Sequence, residues 1–567
     1  MRLKQLDIRH FRAISCLNWT LPRRESLICL VGPGDAGKST ILDALELVVS
    51  PRWNVRLTEA DFFRADLSRP IEITATVGDL PPELLTQQKY GLSSRGWSRQ
   101  TELHDEPEDD DEVVLTIRFS VADDLEPSWV VINARQKEPQ PISARDRALL
   151  ASSRLDRDVE RHLKWGRGSA LSSVTASTAE MDKLLVEIGR VTRAAANAAE
   201  LPDLKDAASR AEAAAKEYGA GIQGQFHPAL DAGASQVSSG SFTLHADDIP
   251  ITQTGLGTRR LVSLALQSLA LREGTLVLID EIEQGLEPHR LRHLLQLLHD
   301  QLNVEPVVGQ VVATTHSSVC IEELSVRNIY VVRQNPVGTE LRRARISLQA
   351  TARAAPEALL ARRVIVCEGK TEIGFVRGLR SKLREDHGAP LSHVGAVPAL
   401  GGGETTGRVA RDFVQLGFPT ALLGDSDKPF NPPAEVLQQL GVTPFLWEGS
   451  VAIEERIALD LPLEALAELL HLAVNDNAEQ SVRDSLANRL GTLPSTGPLS
   501  PQQWVAGGND EETIRLAIGQ IAKAKKWFKR IDHGEELARL VVKHWAMLDG
   551  TDLGQKVSGL GAWAYGE

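Results

Sequence analysis

Two groups of residues in this chain have the types and spacing for phosphate chemistry. In VGPGDAGKST (31–40), Gly32, Gly37, Lys38 and Ser39 fit the pattern G-x-x-x-x-G-K-[ST]. Glycines at these places let backbone N–H groups wrap a β-phosphate, and a helix starting at Lys38 aims its positive end at the same point. Lys38 then reaches the β- and γ-phosphates and Ser39 can ligate Mg²⁺. Gly34 and Thr40 complete the expected cradle, and ATP with Mg²⁺ is the expected ligand. The competing reading is a glycine turn that happens to precede Lys-Ser. Against it stand the apolar run SLICLV before the motif, which reads as a buried strand, and TILDALELVV after it, which repeats apolar residues at helical spacing.

The second group is acidic. RRVIVCEGKTEIGFVRGLR (362–380) reads as a strand ending in Glu368, a glycine turn and a helix with Glu372 in its first turn. PALGGGETTGRVARDFVQLG (398–417) is a glycine-rich turn and a helix, and FPTALLGDSDKP (418–429) a strand ending in Asp425 and Asp427. Strand, acid, helix, strand, acid-x-acid describes an open parallel sheet with its acids at the carboxyl ends of the strands, where such sheets build sites. Carboxylates converging without a cation repel one another, and hard oxygen ligands at this density suit Mg²⁺ or Mn²⁺. Alone, DSD would be a surface turn; coupled to EGKTE it reads as a metal site.

The elements that must position these groups follow from patterning. With 567 residues the chain has room for two to four domains, and 42% hydrophobic with 25% charged residues excludes a disordered or fibrous protein. Cys16, Cys29, Cys320 and Cys367 lack C-x-x-C spacing, so neither a zinc site nor a disulfide framework is expected, in keeping with a reducing cytoplasm. The start MRLKQLDIRHFRAI has no apolar leader core, and no uncharged apolar run reaches the roughly 18 residues needed to span a bilayer. A cytoplasmic protein with no membrane partner is expected. The net charge of −13 argues against nucleic acid, yet much of the acid sits in DEPEDDDE (105–112), read as a solvated loop, while RGLRSKLR (377–384) and KAKKWFKR (523–530) form basic clusters, the second interleaved with aromatics.

Residues 1–145 read as alternating strands and helices around the phosphate loop. Residues 146–225 change to an Ala-, Glu-, Lys- and Arg-rich helical pattern with Leu184, Leu185, Ile188 and Val191 on one stripe, which needs a partner helix or a second copy to bury it. The α/β pattern resumes over 226–346. There GTLVLIDEIEQGLEP (274–288) is a strand ending in Asp280, placed to hold Mg²⁺, and Glu281, placed to polarise the attacking water. GQVVATTHSSV (309–319) is a strand leading to His316, expected to face the γ-phosphate, and TGLGTRRLVSLAL (254–266) sets Gly255 and Gly257 at a helix start. Residues 347–567 form the acidic unit. The fold class expected is α/β: a P-loop ATPase with a helical insertion, then a second α/β domain with helical additions.

The first unit resembles ABC-type ATPases of the SMC-like branch, in which the glycine-rich signature of one subunit closes over the nucleotide of the other. LDIRHFRAI resembles their first strand with its Phe11-Arg12 pair. The resemblance implies a homodimer formed through the ATPase and the insertion, with Arg12 and Gly257 among the nucleotide contacts. TGLGT lacks the usual Ser-Gly-Gly, and no Q-loop glutamine is evident before the insertion. The second unit resembles a Toprim domain, and the order of the two resembles the OLD (overcoming lysogenisation defect) family of nucleases over essentially the whole chain.

That resemblance implies ATP-regulated, divalent-metal-dependent cutting of DNA by two ions, often in phage defence, with a helicase as a possible partner. Glu368, Glu372, Asp425 and Asp427 are the implied metal ligands. LWEGSVAIEERI (446–457) supplies one more, Glu454 or Glu455, with Glu454 preferred. The family's transition-state lysine falls among four in KAKKWFKRIDHGEEL (523–537), of which Lys529 is chosen. Glu368 and Lys529 are thus the implied catalytic residues of the nuclease, and Glu281 that of the ATPase. Alternatives from other classes are a DNA clamp or sensor whose acidic unit only binds, and a topoisomerase, which would need a nucleophile among Tyr90, Tyr218, Tyr330 and Tyr565. The nucleotide-binding half of a transporter would have no use for the C-terminal acids.

Overall fold

The computed structural model describes residues 1–566 apart from 24, 172–186, 192–242, 272–275, 303–308 and 492–497, with shorter breaks at 151, 156–158, 166–168, 170, 189 and 247–248. The helical stripe expected over 146–225 lies almost entirely outside the described residues.

The first 150 residues depart from the alternation expected of them. They form an antiparallel eight-stranded sheet in which Arg2–Phe11 lies between Ile14–Thr20 and Ile71–Gly78, followed by Glu112–Val121. The physical reason is period-2 patterning: Leu6 and Ile8, Ile71 and Ile73, and Ile117 and Phe119 all point to one buried face. That face packs on Ile41, Leu42 and Leu45 of the helix Lys38–Val48.

A second, six-stranded sheet holds the phosphate loop. Its order is Ser152–Leu155, Leu276–Ile279, Gln310–Thr314, Leu27–Val31, Ile329–Gln334 and Thr339–Arg343, all parallel except the last. Leu27–Val31 is buried along its whole length, as a strand covered on both faces must be. The helix Lys38–Val48 covers one face; Pro288–Leu302 and Ser318–Glu323 cover the other. Ser152–Leu155 falls among the residues assigned to the insertion, yet it forms this sheet's edge strand beside Leu276–Ile279.

The third sheet is four-stranded and wholly parallel, in the order Ala396–Leu400, Arg363–Cys367, Thr420–Gly424, Val442–Leu446. Its core is continuous with that of the second sheet: Cys29, Val31, Leu348, Leu359, Val364 and Phe413 belong to one buried cluster. Arg333 fastens the junction. Its guanidinium donates to the carbonyls of Ala361 (3.3 Å) and Arg362 (3.0 Å) and lies 4.3 Å from the centre of the Phe418 ring. The other side of this sheet packs on the C-terminal helices, where Trp527 and Phe528 are buried. The aromatics interleaved among the lysines of 523–530 therefore serve the core and are not presented to nucleic-acid bases.

Two glycines set the closest helix pair. The helix Lys370–Gly378, which carries Glu372, crosses Ile531–Lys543 where a Cβ on Gly374 would run into the Ile531 carbonyl and one on Gly534 into that of Thr371. Gly374→Ala must push the helices apart. We expect it to lower stability by about 1–3 kcal/mol, the usual cost of overpacking, read as a fall in Tm, and to weaken Mn²⁺ binding because Glu372 shifts with its helix.

Candidate functional sites

At the phosphate loop, backbone conformation explains the glycines. Gly37 has φ +94°, and a Cβ on Gly32 (φ +149°) would strike the Val332 carbonyl. Lys38 is buried and donates to the loop's own carbonyls, Gly32 at 3.1 Å and Pro33 at 2.8 Å. Burial holds its pKa below the usual lysine value, with Asp280 opposing. Ser39 Oγ donates to Asp280 Oδ1 (3.1 Å), and Thr314 Oγ1 donates to the same oxygen (2.7 Å). The Mg²⁺ residues expected from sequence are therefore already in contact.

Glu281 follows Asp280 with φ +49° and donates its N–H to Thr314 Oγ1 at 2.8 Å. His316 stands at the end of the neighbouring strand, and partial desolvation followed by the charge of Lys38 keeps its imidazole below the usual value. Gly34 and Thr40 lie in the loop and the first turn of its helix. Arg12 is held by Asp61 (2.8 Å) and by Asp43 on the loop's helix. Gly257 faces the turn after Glu281, where a Cβ would sit 2.5 Å from the Gly285 carbonyl oxygen.

Three further residues of this site escaped the sequence reading. Arg260, fully buried, donates to the carbonyls of Asp280 (2.5 Å) and Glu281 (2.6 Å), so the helix Leu256–Leu271 clamps the turn that carries both acids. Glu283 accepts from Thr315 Oγ1 and the His316 N–H, both at 2.7 Å, and so sets the His316 loop. Arg154, on the edge strand Ser152–Leu155, lies 3.6 Å from Asp280 Oδ2 and also pairs with Asp43 and Glu46. The spacing D-E-x-E was the one available signal for Glu283; nothing local marks the two arginines.

The acidic site stands at the carboxyl ends of the third sheet. Glu368 follows Arg363–Cys367, and its Oε2 accepts the Asp425 N–H (3.0 Å). Asp425 follows Thr420–Gly424, and its Oδ1 accepts the Ile453 N–H (2.9 Å) at the start of the helix Ile453–Asp460. Glu372 caps its own helix by accepting from Gly369 N–H (2.7 Å). Glu454 is 1% exposed, its Oε2 accepts no hydrogen bond among the described residues, and Lys529 Nζ lies 3.1 Å from Oε1.

Glu368, Glu372, Asp425, Glu454 and Lys529 thus form one electrostatic group, whereas Asp427 turns to Lys523 (2.8 Å), which also holds Glu455 (2.9 Å). Burial, then the neighbouring acids Glu454 and Glu368, push Glu372 up to about 7. Burial, then Glu372, Glu368 and Glu454, push Asp425 up to about 8.

These observations test the donor set against a cation. Three of the four acids are at most 8% exposed, one has an unbonded oxygen, and among the described residues one ammonium, Lys529, is within ion-pair distance of any of them. Such a set fits a divalent ion of the Mg²⁺ or Mn²⁺ type. The acids stand apart, as mutual repulsion dictates. Among the described residues, the set of three His, Cys, Asp or Glu groups with ligand atoms within 4.8 Å of one another is His104, Glu108 and Asp111. There the loop expected to be solvated is tied down: His104 lies 2.7 Å from Asp111, and Glu112 bonds the buried Lys4 at 2.8 Å.

Among the described residues no helix is long and apolar enough to cross a membrane. A family model described as "AAA domain, putative AbiEii toxin, Type IV TA system" matches residues 27–322. A curated relative, the OLD nuclease of Thermus scotoductus, is 25% identical over 363 residues, 59% of this chain. The match spans 62% of that relative's length. The OLD-family resemblance of the motifs is borne out by these matches. Two solved structures are also similar. One is an Smc head bound to the C-terminal winged-helix domain of ScpA (14% identity, 60% of this chain, 97% of that one, TM-score 0.35). The other is an Smc head with an extended coiled coil bound to the C-terminal domain of ScpA from Pyrococcus furiosus (12%, 60% and 95%, TM-score 0.34).

The raised carboxyls give a signed pH dependence. Without a cation the folded chain keeps protons on Glu372 and Asp425 that the unfolded chain releases near 4.5 and 3.8, so this contribution to stability is present below about 4 and is lost as pH rises towards 8. A bound cation must displace those protons, so Mn²⁺ affinity should rise between pH 6 and 8.5. In EDTA we expect a lower Tm at pH 8.5 than at pH 6, a smaller difference in Asp425→Asn, and proton release on Mn²⁺ binding measured calorimetrically in buffers of different ionisation enthalpy.

Proposed function

The chain belongs to the AAA-domain family whose model matches it, and from that premise we propose that it is an ATP-regulated, divalent-cation-dependent DNA nuclease whose cutting site is the acidic cluster of a Toprim-like unit. One observation carries the reading: four electrostatically coupled carboxylates gather beside the strand ends of the third sheet, and among the described residues Lys529, against Glu454, is the ammonium within ion-pair distance of any of them. A purely structural role would favour pairing each buried acid, because an unneutralised buried carboxylate destabilises the fold. The OLD nuclease relative supports the choice of a phosphodiester as substrate.

In the first site Lys38 leaves the Gly32 and Pro33 carbonyls for the β- and γ-phosphates of ATP, while Ser39 and Asp280 hold Mg²⁺. Glu281 orients the attacking water and His316 donates to the γ-phosphate. Gly257 and Arg12 contribute to a nucleotide-bound homodimer, with the insertion adding to its interface.

In the second site Glu368, Glu372, Asp425 and Glu454 hold Mg²⁺ or Mn²⁺, which when bound polarises the phosphoryl oxygens and lowers the pKa of water. Glu368, whose carboxyl burial keeps above the usual range, accepts the proton of the attacking water. Lys529, next to Glu454, would place its ammonium against the negative charge that develops on the phosphoryl oxygens as water adds, the ester P–O bond breaks and the leaving sugar oxygen takes a proton from solvent.

Supercoiled plasmid incubated with the full chain and Mg²⁺ or Mn²⁺, with and without ATP, tests this function. Nicked or linear product is expected; religated topoisomers would indicate a topoisomerase, and unchanged DNA a clamp. Asp425→Asn should lose nearly all cutting and Mn²⁺ binding, and parental cutting by that variant would exclude the acidic cluster as the site. Lys529→Ala should still bind Mn²⁺ but cut about 10²-fold more slowly, the usual order for one transition-state contact. Independently, Lys38→Ala should lose ATP binding, and Glu281→Gln should bind ATP but hydrolyse it slowly, both read by filter binding and phosphate release.

A further inference from the structure

The six acids at the carboxyl ends of the third sheet divide into two sets. Glu368, Glu372, Asp425 and Glu454 share one lysine, Lys529, which is exposed and contacts only Glu454 among them within ion-pair distance. Asp427 and Glu455 share Lys523, whose Nζ lies 2.8 Å from Asp427 Oδ2 and 2.9 Å from Glu455 Oε2. The first set holds four carboxylates with one ammonium, Lys529, at ion-pair distance among the described residues, and the charge of Lys428 also reaches Glu368. The second holds two against one, with the ammonium bridging both.

Packing puts Lys523 there. It lies on the helix Glu511–Lys525, one turn after Gly519. A Cβ on Gly519 would stand 2.7 Å from Glu455 Cα, so the absence of a side chain lets this helix lie directly on Ile453–Asp460. One turn later the lysine stem reaches over Glu455 to Asp427. Glu455 is also committed elsewhere: its Oε2 accepts the Ala452 N–H at 2.8 Å, capping the helix that carries Glu454. An oxygen already accepting from a backbone N–H and an ammonium offers little to a metal ion, which would also meet the positive charge of Lys523 at contact distance.

We propose that Lys523 is a built-in cation that fills the second ion position of the acidic site, so that the chain takes one divalent ion, at Glu368, Glu372, Asp425 and Glu454. The inference rests on the reading of this cluster as a metal-dependent site, and it departs from the two-ion scheme expected from the sequence. Lys523 is a positioning residue. It holds Asp427 and Glu455 in place of a metal, and through the Glu455 cap it fixes the helix start from which Glu454 enters the first set.

The test counts ions on the full chain at pH 8 without nucleotide, by calorimetric titration of Mn²⁺ together with the electron paramagnetic resonance signal of the free ion. The parent should bind one tight Mn²⁺, absent in Asp425→Asn. Lys523→Gln should bind a second, and Lys523→Arg should stay at one. Should Lys523→Gln fail to fold, Asp427→Asn decides: it should keep the parental single ion, because Asp427 is held by lysine and not by metal. Two tight ions in the parent, one ion in folded Lys523→Gln, or loss of the tight ion in Asp427→Asn would each overturn the inference while leaving a metal-dependent nuclease standing. A parent that binds no Mn²⁺ would instead overturn the metal reading beneath it.

Discussion

Uncompensated negative charge at the ends of the third sheet is the condition on which the C-terminal half of the chain depends. A parallel sheet delivers successive strand ends to one edge, so Glu368 and Asp425 are brought together by topology whatever their charge. Their repulsion is contained by backbone donors: the Asp425 N–H on Glu368, the Ile453 N–H on Asp425 and the Gly369 N–H on Glu372. These N–H groups fix orientation and partly stabilise the ionised forms, yet burial still leaves Glu372 and Asp425 near 7 and 8. The fold therefore holds these two acids where the balance between proton and charge is even near neutral pH.

The same logic separates the two lysines. Both belong to the segment 523–530, but Trp527 and Phe528 between them are anchored in the core, so Lys523 and Lys529 reach different acids from one short stretch. Lys523 is spanned by two carboxylates and spent on structure. Lys529 is exposed and touches one buried acid. Exposure and partner number, more than residue type, distinguish the two lysines.

Legibility in the sequence followed the range of the interaction. The phosphate loop, Asp280, Glu281, Glu368 and Asp425 could be placed because each lies at the end of a buried apolar run, a local pattern that strand and turn geometry translate directly into a position. The antiparallel sheet of the first 150 residues was missed although its period-2 strands are local, because the phosphate loop and its helix suggested alternation throughout. Arg154, Arg260 and Lys523 were invisible for another reason. Arg154 reaches Asp280 across 126 positions, and Lys523 reaches Asp427 only because Gly519 lets two helices touch. Nothing in the few residues around these cations encodes which acid they meet; for Lys529, family resemblance supplied the role and the WFK context the choice over its three neighbours.

The nucleotide site and the acidic site are joined by packed elements. Arg260 ties the signature helix to the turn of Asp280 and Glu281, Glu283 ties that turn to the His316 strand, and this strand lies beside the phosphate-loop strand Leu27–Val31. Cys29 and Val31 on the latter share a core with Val364 and Val366, two residues before Glu368 begins the acidic site. Close-packed interiors resist gradual deformation, so any displacement of the Asp280 turn must be absorbed at a junction or passed on. Arg333 makes the junction stiff, because its two carbonyl contacts at Ala361 and Arg362 hold the residues that lead into the strand ending at Glu368. Continuity of packing gives a physical connection between the two sites, and the Arg333 guanidinium stands on it where the second sheet meets the third.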